Sequence, residues 1–273
     1  MGTNPPQTSS GLDPEGYWSE RLEQSYTLEG VGYLGMGRAF NRWMYAVRRR
    51  VFIRVARRYA DTPGPRVLDV GSGTGFYVAL WHELGAREVV GSDLTAVAVE
   101  RLRAAFPDVT FHQLDVTEPR AESLGEFDVV SAMDVLFHIV DDDAYGRALE
   151  NLEALLAPGG TLIFTENLLH GRGERGAHQS SRSIDEVSRL LARAGLEVHV
   201  RRPAFVLMNT PVDSHSVLLR RAWTGINLLV RRGEVTAWLA GATLFPLELL
   251  LTRALREGPS TEIVVCRKRA PSR

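Results

Sequence analysis

The sequence predicts a doubly wound α/β fold, a mostly parallel sheet wrapped on both faces by helices. Three observations predict it. From about residue 67 onward, short apolar runs alternate with segments of helical periodicity, which is the pattern of successive βαβ units. The first run, VLDV at 67–70, enters a turn with glycine at 71, 73 and 75, and a helix-like segment follows near Phe76. That is a buried strand, a tight glycine loop and a helix N-terminus. The second run, 88–93, ends in Asp93, about 22 residues beyond Gly71, a spacing that suits a carboxylate gripping both hydroxyls of a ribose.

Taken in order, residues 1–12 are polar and rich in Pro and Ser, without the apolar core of a secretory signal, so a disordered tail and a cytoplasmic location are expected. Residues 13–61 read as a helical cover: a short helix over 14–24, a glycine-containing loop, and a longer helix on which Phe40, Trp43, Met44, Val47, Val51, Val55 and Tyr59 recur at helical spacing. Its Arg48-Arg49-Arg50 and Arg57-Arg58 runs read as a solvated face, with an anionic surface as the sharper option. The connecting loop, with Tyr26, Gly30, Gly32, Tyr33 and Gly35, can be a mobile cover.

The core is expected over 62–208. Strands at 67–70, 88–93, 111–115, 127–132 and 161–165 alternate with helices at 78–84, 96–105 and 142–156. Asp69 is out of place in an apolar strand and needs partners, either a cationic ammonium or a ring of loop N–H groups. Asp141, Asp142 and Asp143 read as the cap and first-turn acids of the following helix rather than as a metal triplet. Ser183 and Glu186 form a capping box for a helix that Gly195 ends, and 196–206 is a sixth strand. Residues 209–260 form an apolar insertion with helices over 217–230 and 235–256, where Pro246 should kink or break the second. Residues 261–273 supply the last strand and a tail.

Composition sets bounds. With 273 residues, 44% hydrophobic and 24% charged, the chain has an ordinary soluble profile, and a net charge of -1 gives no case for nucleic-acid binding. The single cysteine, Cys266, excludes an internal disulfide and any multi-cysteine metal site. No HExxH or other metal-ligand spacing is present, so no metal is expected.

The segments VLDVGSGTG, VVGSDLT, FHQLDV, FDVVSAMDVLFHI and LAPGGTLIF, in this order and spacing, resemble the class I S-adenosylmethionine-dependent methyltransferases. The resemblance covers about residues 64–206 and extends to the end strand TEIVVCRK. It implies a Rossmann-like seven-stranded sheet with an antiparallel last strand, S-adenosyl-L-methionine as cofactor, and transfer of its methyl group. By the same resemblance Gly71, Gly73 and Gly75 pack against the methionine part of the cofactor. Asp69 anchors the loop and the ammonium, Asp93 binds the ribose, and Leu94 flanks the adenine. Asp115 accepts from the adenine amine with Val116 beside it, Met133 joins the cofactor contacts, and Tyr26 and Tyr33 line the site or merely anchor their loop.

For the acceptor, His138 just past the fourth strand is the candidate general base, or else part of the pocket wall. Asn167, His170 and Arg182 follow the fifth strand and could face the acceptor. The acceptor is a small molecule by elimination. AMDVLFH stands where many amino-group methyltransferases carry an NPPY-type signature, which favours an oxygen nucleophile on an apolar or lipid-like metabolite over a base nitrogen and leaves a carbon acceptor on a quinol-like ring open. The insertion can add core, form a lid over an apolar acceptor, or make peripheral contact with a membrane through Arg220, Arg221, Arg231 and Arg232. Two further readings are an inactive binding protein on the same fold and a membrane-associated structural protein.

Overall fold

The computed structural model describes residues 13–119 and 124–269; the expected tail over 1–12 lies outside them. Seven strands form the main sheet: β1 (Arg66–Val70), β2 (Glu88–Asp93), β3 (Thr110–Gln113), β4 (Phe127–Ala132), β5 (Leu156–Glu166), β9 (Leu196–Pro203) and β10 (Glu262–Lys268). Their order is β3-β2-β1-β4-β5-β10-β9. The first five are mutually parallel, and β10 slots antiparallel between β5 and β9. The order reverses at β1, so the carboxyl ends of β1 and β4 flank the crevice where open α/β sheets bind ligands.

The helices that cross over are α4 (Phe76–Glu83), α5 (Ala96–Ala105), α6 (Asp142–Ala154) and α7 (Ile184–Arg193). The last three start at side-chain caps, Thr95, Asp141 and Ser183, each accepting from a backbone N–H three residues on, whereas α4 starts at Gly75 without one. Two apolar cores result, one on each face of the sheet.

Three local expectations change. The strand expected over 111–115 stops at Gln113, because Asp115 turns back to accept from the N–H and hydroxyl of Thr117, at 2.8 and 2.7 Å. The residues after β5, expected as a loop, contain β6 (Leu168–Leu169), β7 (Glu174–Arg175) and β8 (Ser180–Ser183), a small second sheet in the order β6-β8-β7. The N-terminal connector winds into α2 (Leu28–Val31) and a 3₁₀ turn between α1 (Pro14–Gln24) and α3 (Gly37–Tyr59).

The insertion forms α8 (Val217–Val230) and α9 (Glu234–Ala254), and α9 packs along α3. Gly241 permits the approach, since a Cβ there would meet the Trp43 ring at 2.3 Å. Glu234 accepts from the N–H groups of Arg38 and Ala39, capping α3 from a distance of nearly two hundred residues in sequence. Against expectation, α9 runs through Pro246 unbroken. It is held on both sides of the proline, by Trp43 against Gly241 and by Glu248, whose carboxylate accepts from Val206 and Leu207 N–H at 2.7 and 2.8 Å. Burial pushes the Glu248 carboxyl upward. Glu248→Ala should strip two buried N–H groups of their acceptor and cost about 1–3 kcal/mol in urea unfolding, with the slope of the transition unchanged.

Candidate active site

A cavity of about 1380 Å³ opens at the carboxyl ends of β1, β2 and β4. Of the expected site residues, Gly71, Gly73, Asp93, Leu94, Asp115, Val116, Met133 and His138 all line it. Residues as distant in sequence as Gly71 and His138 thus meet because each follows a neighbouring strand of one sheet.

The glycine loop forms the floor. Gly71 has φ +69°, and a Cβ on it would strike Val135 at 2.3 Å, so only glycine lets the main chain border the cavity here. Asp93 braces the loop: one oxygen accepts from Gly73 N–H at 2.9 Å, the other from the N–H and hydroxyl of Thr95 at 3.0 Å. Burial raises its carboxyl above the ordinary range, and these bonds work against that rise.

Asp69 and Gly75 do not line the cavity. Gly75 instead lets α4 start against α5, where a Cβ would strike Phe106 at 2.3 Å. Asp69 lies buried behind the loop. Its Oδ1 accepts from Ser131 Oγ at 2.6 Å, and Ser131 Oγ in turn accepts from Trp81 Nε1 at 2.9 Å. Asp69 Oδ2 has no partner among the described residues, and burial pushes the carboxyl up to about 7.

His138 lies in a 3₁₀ turn after β4, edge-on to Trp18 with ring centres 5.0 Å apart. Its Nδ1 lies 2.9 Å from the carbonyl of His178. A carbonyl can only accept, so Nδ1 carries the hydrogen, and in a neutral ring Nε2 keeps its lone pair. Burial holds the ring below its ordinary value of 6.5, so it is neutral at pH 7.

Several other expectations are corrected. Tyr26 and Tyr33 do not line the cavity: Tyr26 holds the loop from outside through its hydroxyl on Gly73 O at 2.9 Å, and Tyr33 is exposed. The aromatic wall comes from α1, as Tyr17 and Trp18, with Tyr45, Phe76 and Tyr77. Asn167 is buried against Thr261, and His170 faces away, bonded to Asp213. Arg182 is fully buried over the Tyr145 ring and paired with Asp142 at 2.9 Å. Asp141 caps α6 through Ala144 N–H, and among the described residues no cluster suited to a metal occurs. No residue of 209–260 borders the cavity, so α8 and α9 do not roof it.

Arg48, expected on a solvated face, is largely buried, pairing with Asp134 at 2.9 Å under the Tyr45 and Phe205 rings. The signal was available: on a helix whose Met44, Val47, Val51 and Val55 point inward, position 48 follows 44 by four residues and shares that face. Arg175 and His178, on the β7–β8 hairpin, also line the cavity, and no periodicity marked them.

A doubly wound sheet with a glycine floor, strand-end acids and a deep cleft at the switch point defines an enzyme that binds a nucleoside-containing cofactor. Residues 67–160 match a family described as methyltransferase domain. The ubiquinone biosynthesis O-methyltransferase of Albidiferax ferrireducens is 30% identical over 183 residues, covering 61% of this chain and 71% of that protein. The ribosomal protein L11 methyltransferase of Syntrophotalea carbinolica is 37% identical over 140 residues, 50% of this chain and 44% of that protein. In fold, the chain resembles magnesium protoporphyrin IX methyltransferase from Synechocystis, solved with S-adenosylmethionine bound: TM-score 0.55, 15% identity, 96% of this chain and 100% of that one. The chain belongs to the class I S-adenosylmethionine-dependent methyltransferases.

The ion pair beneath the cavity gives a stability test. Arg48→Met leaves Asp134 partly buried without its cation, and should cost about 3–5 kcal/mol in denaturant unfolding. The double variant Arg48→Met with Asp134→Asn should recover part of that loss.

Proposed function

We propose that this methyltransferase moves the methyl group to an oxygen nucleophile on an apolar, lipid-like small molecule, with His138 as the base. The observation that carries the reading is the state of His138: a neutral ring, Nδ1 committed to the His178 carbonyl, and Nε2 left to accept a proton beside Trp18, Ile139 and Val140 in the cavity wall. S-adenosylmethionine, when bound, supplies a methyl carbon made electrophilic by the sulfonium. The residues suit that cofactor. The glycine floor admits close backbone approach at Gly71, Asp93 can accept from ribose hydroxyls with lone pairs not used by Gly73 and Thr95, and Asp115 Oδ2 can accept from the adenine amine near Leu94, Val116 and Met133. Asp69 does not reach the cavity and serves the site from behind, where its bond from Ser131 Oγ ties the strand that enters the glycine loop to β4.

His138 Nε2 would take the acceptor hydroxyl proton, leaving the oxygen able to receive the methyl group that bound S-adenosylmethionine would supply. The aromatic wall and the β7–β8 hairpin exclude water and hold the two reactants in line. An apolar acceptor also sets the setting: the cytoplasm, at the inner face of a membrane. A second reading, transfer to nitrogen, is favoured by Asp141 and Asp143 in the cavity wall, which suit a cationic amine.

Three outcomes test this. Asp93→Ala should weaken S-adenosylmethionine binding by roughly 1–3 kcal/mol in calorimetry of the folded protein; unchanged affinity rejects the ribose assignment. His138→Ala should lower turnover of a phenolic acceptor roughly 10²- to 10⁴-fold with cofactor affinity intact. The acid limb of wild-type turnover should have its midpoint below the ordinary histidine value of 6.5, because burial lowers the pKa of the ring. That acid limb should vanish in His138→Ala, whereas a pocket-wall role leaves both rate and limb unchanged, and amines turning over faster than phenols would select the nitrogen reading.

A further inference from the structure

Helices α8 and α9 have two unlike faces. Ala237, Gly241, Glu248 and Thr252 of α9 are buried, seated on α3 and the loop after β9. The opposite face carries Val235, Leu239, Pro246 and Leu250, spaced by four, seven and four residues, so they form one stripe. The three non-proline members are 74%, 53% and 62% exposed, and α8 adds Val217 and Leu218, the latter 80% exposed. Scattered exposed apolar residues are ordinary, but a continuous row of them along a 21-residue helix is not.

Arginine dominates the charges around this stripe. Arg220, Arg221, Arg231, Arg232, Arg253 and Arg256 are exposed, and none is in an ion pair among the described residues. Between 217 and 256 there are two acids: Glu234 caps α3, and Glu248 is buried on Val206 and Leu207. A chain with net charge -1 therefore presents six exposed arginines here against one exposed acid, Glu234, which is committed to the α3 N–H groups. Arg231 and Arg232 stand at the start of the α9 stripe and Arg253 and Arg256 at its end, where their stems can lie along apolar surface while the heads reach phosphates.

We propose that this face seats the protein on an anionic phospholipid surface, with α8 and the outer stripe of α9 lying in the headgroup layer. It gives the membrane setting of the proposed function its contact surface and rests on that part of the reading. The same helix meets the length and hydropathy of a membrane span. Spanning, however, would tear Glu248 from its two N–H donors and carry a carboxyl into hydrocarbon. Self-association through the stripe is disfavoured by charge, since a two-fold pairing sets each arginine cluster against arginines of the second copy. Anionic lipid instead meets apolar side chains with acyl chains and guanidinium groups with phosphates.

The test is co-sedimentation of the full chain with phosphatidylcholine vesicles, with and without phosphatidylglycerol, neither containing any acceptor. The wild type should bind the phosphatidylglycerol vesicles, and added salt should weaken binding. Leu239→Ser with Leu250→Ser, and separately Arg231→Ser with Arg232→Ser, should each lower affinity roughly tenfold or more. Both variants change exposed residues, so the melting temperature and S-adenosylmethionine affinity should stay as in wild type. Absence of wild-type binding, or equal binding by the variants, overturns the proposal. So does a concentration-dependent dimer that the leucine variant abolishes. Because the vesicles hold no acceptor, failure here is separable from failure of the acceptor reading, which is decided by turnover of soluble phenols.

Discussion

The ion pair between Arg48 and Asp134 ties together what the sequence keeps apart. Asp134 has φ +59°, the one non-glycine residue among those described with a left-handed backbone. Such a conformation has a steric cost that aspartate bears better than most residues. It is held by Thr165, whose hydroxyl accepts from Asp134 N–H at 2.6 Å and donates to its carboxylate at 3.2 Å, and by the guanidinium of Arg48 from α3. The turn that results places Met133, Val135 and His138 around the cavity. Because Arg48 belongs to α3, the same contact fixes α3 on the sheet, and α9 is fixed on α3 in turn.

The cavity is built from two kinds of material. Its floor belongs to the sheet and is rigid, since Asp93, Thr95 and Gly73 brace one another and Trp81, Ser131 and Asp69 form a buried chain behind them. Its outer walls come from α1 and the β7–β8 hairpin, which meet where Tyr17 stacks on His178 with ring centres 4.9 Å apart. The carbonyl of His178 also sets the tautomer of His138. The element that closes the outer wall thus prepares the proposed base, so closure and proton transfer share one contact. In the proposed function these added walls carry the acceptor end while the sheet carries the cofactor end, an arrangement by which one fold can serve different acceptors.

The two faces of α9 divide its roles. The inner face gives the first core cluster Ala237, with Leu244 and Phe245 packed against it, and it carries the buried Glu248 anchor. The outer face contributes nothing to the protein's own core, and its apolar residues are free for contact elsewhere. Pro246 is tolerated because it lies on that outer face, where the carbonyl it leaves without an N–H donor is not enclosed by protein.

Much was legible in the sequence alone. The order of the seven main-sheet strands and the helices between them, the glycine loop, the acid at the end of β2 and the cap at Asp141 are local matters, whereas the short strands β6, β7 and β8 left no such signal. Periodicity, turn chemistry and capping depend on neighbours a few residues away. The same locality marks Gly71, Gly73, Asp93, Asp115 and His138 as residues at or just past strand ends, and all of them border the cavity. Only the tertiary structure decided that Arg48 is buried rather than solvated, that Gly75 packs helices instead of bordering the cavity, and that Tyr17, Trp18, Arg175 and His178 form its outer wall. It also decided that α9 leans on α3 and leaves the cleft uncovered. Each of these depends on which surfaces meet across many intervening residues, and that is set by packing and burial in three dimensions, for which a pattern along one chain has no term.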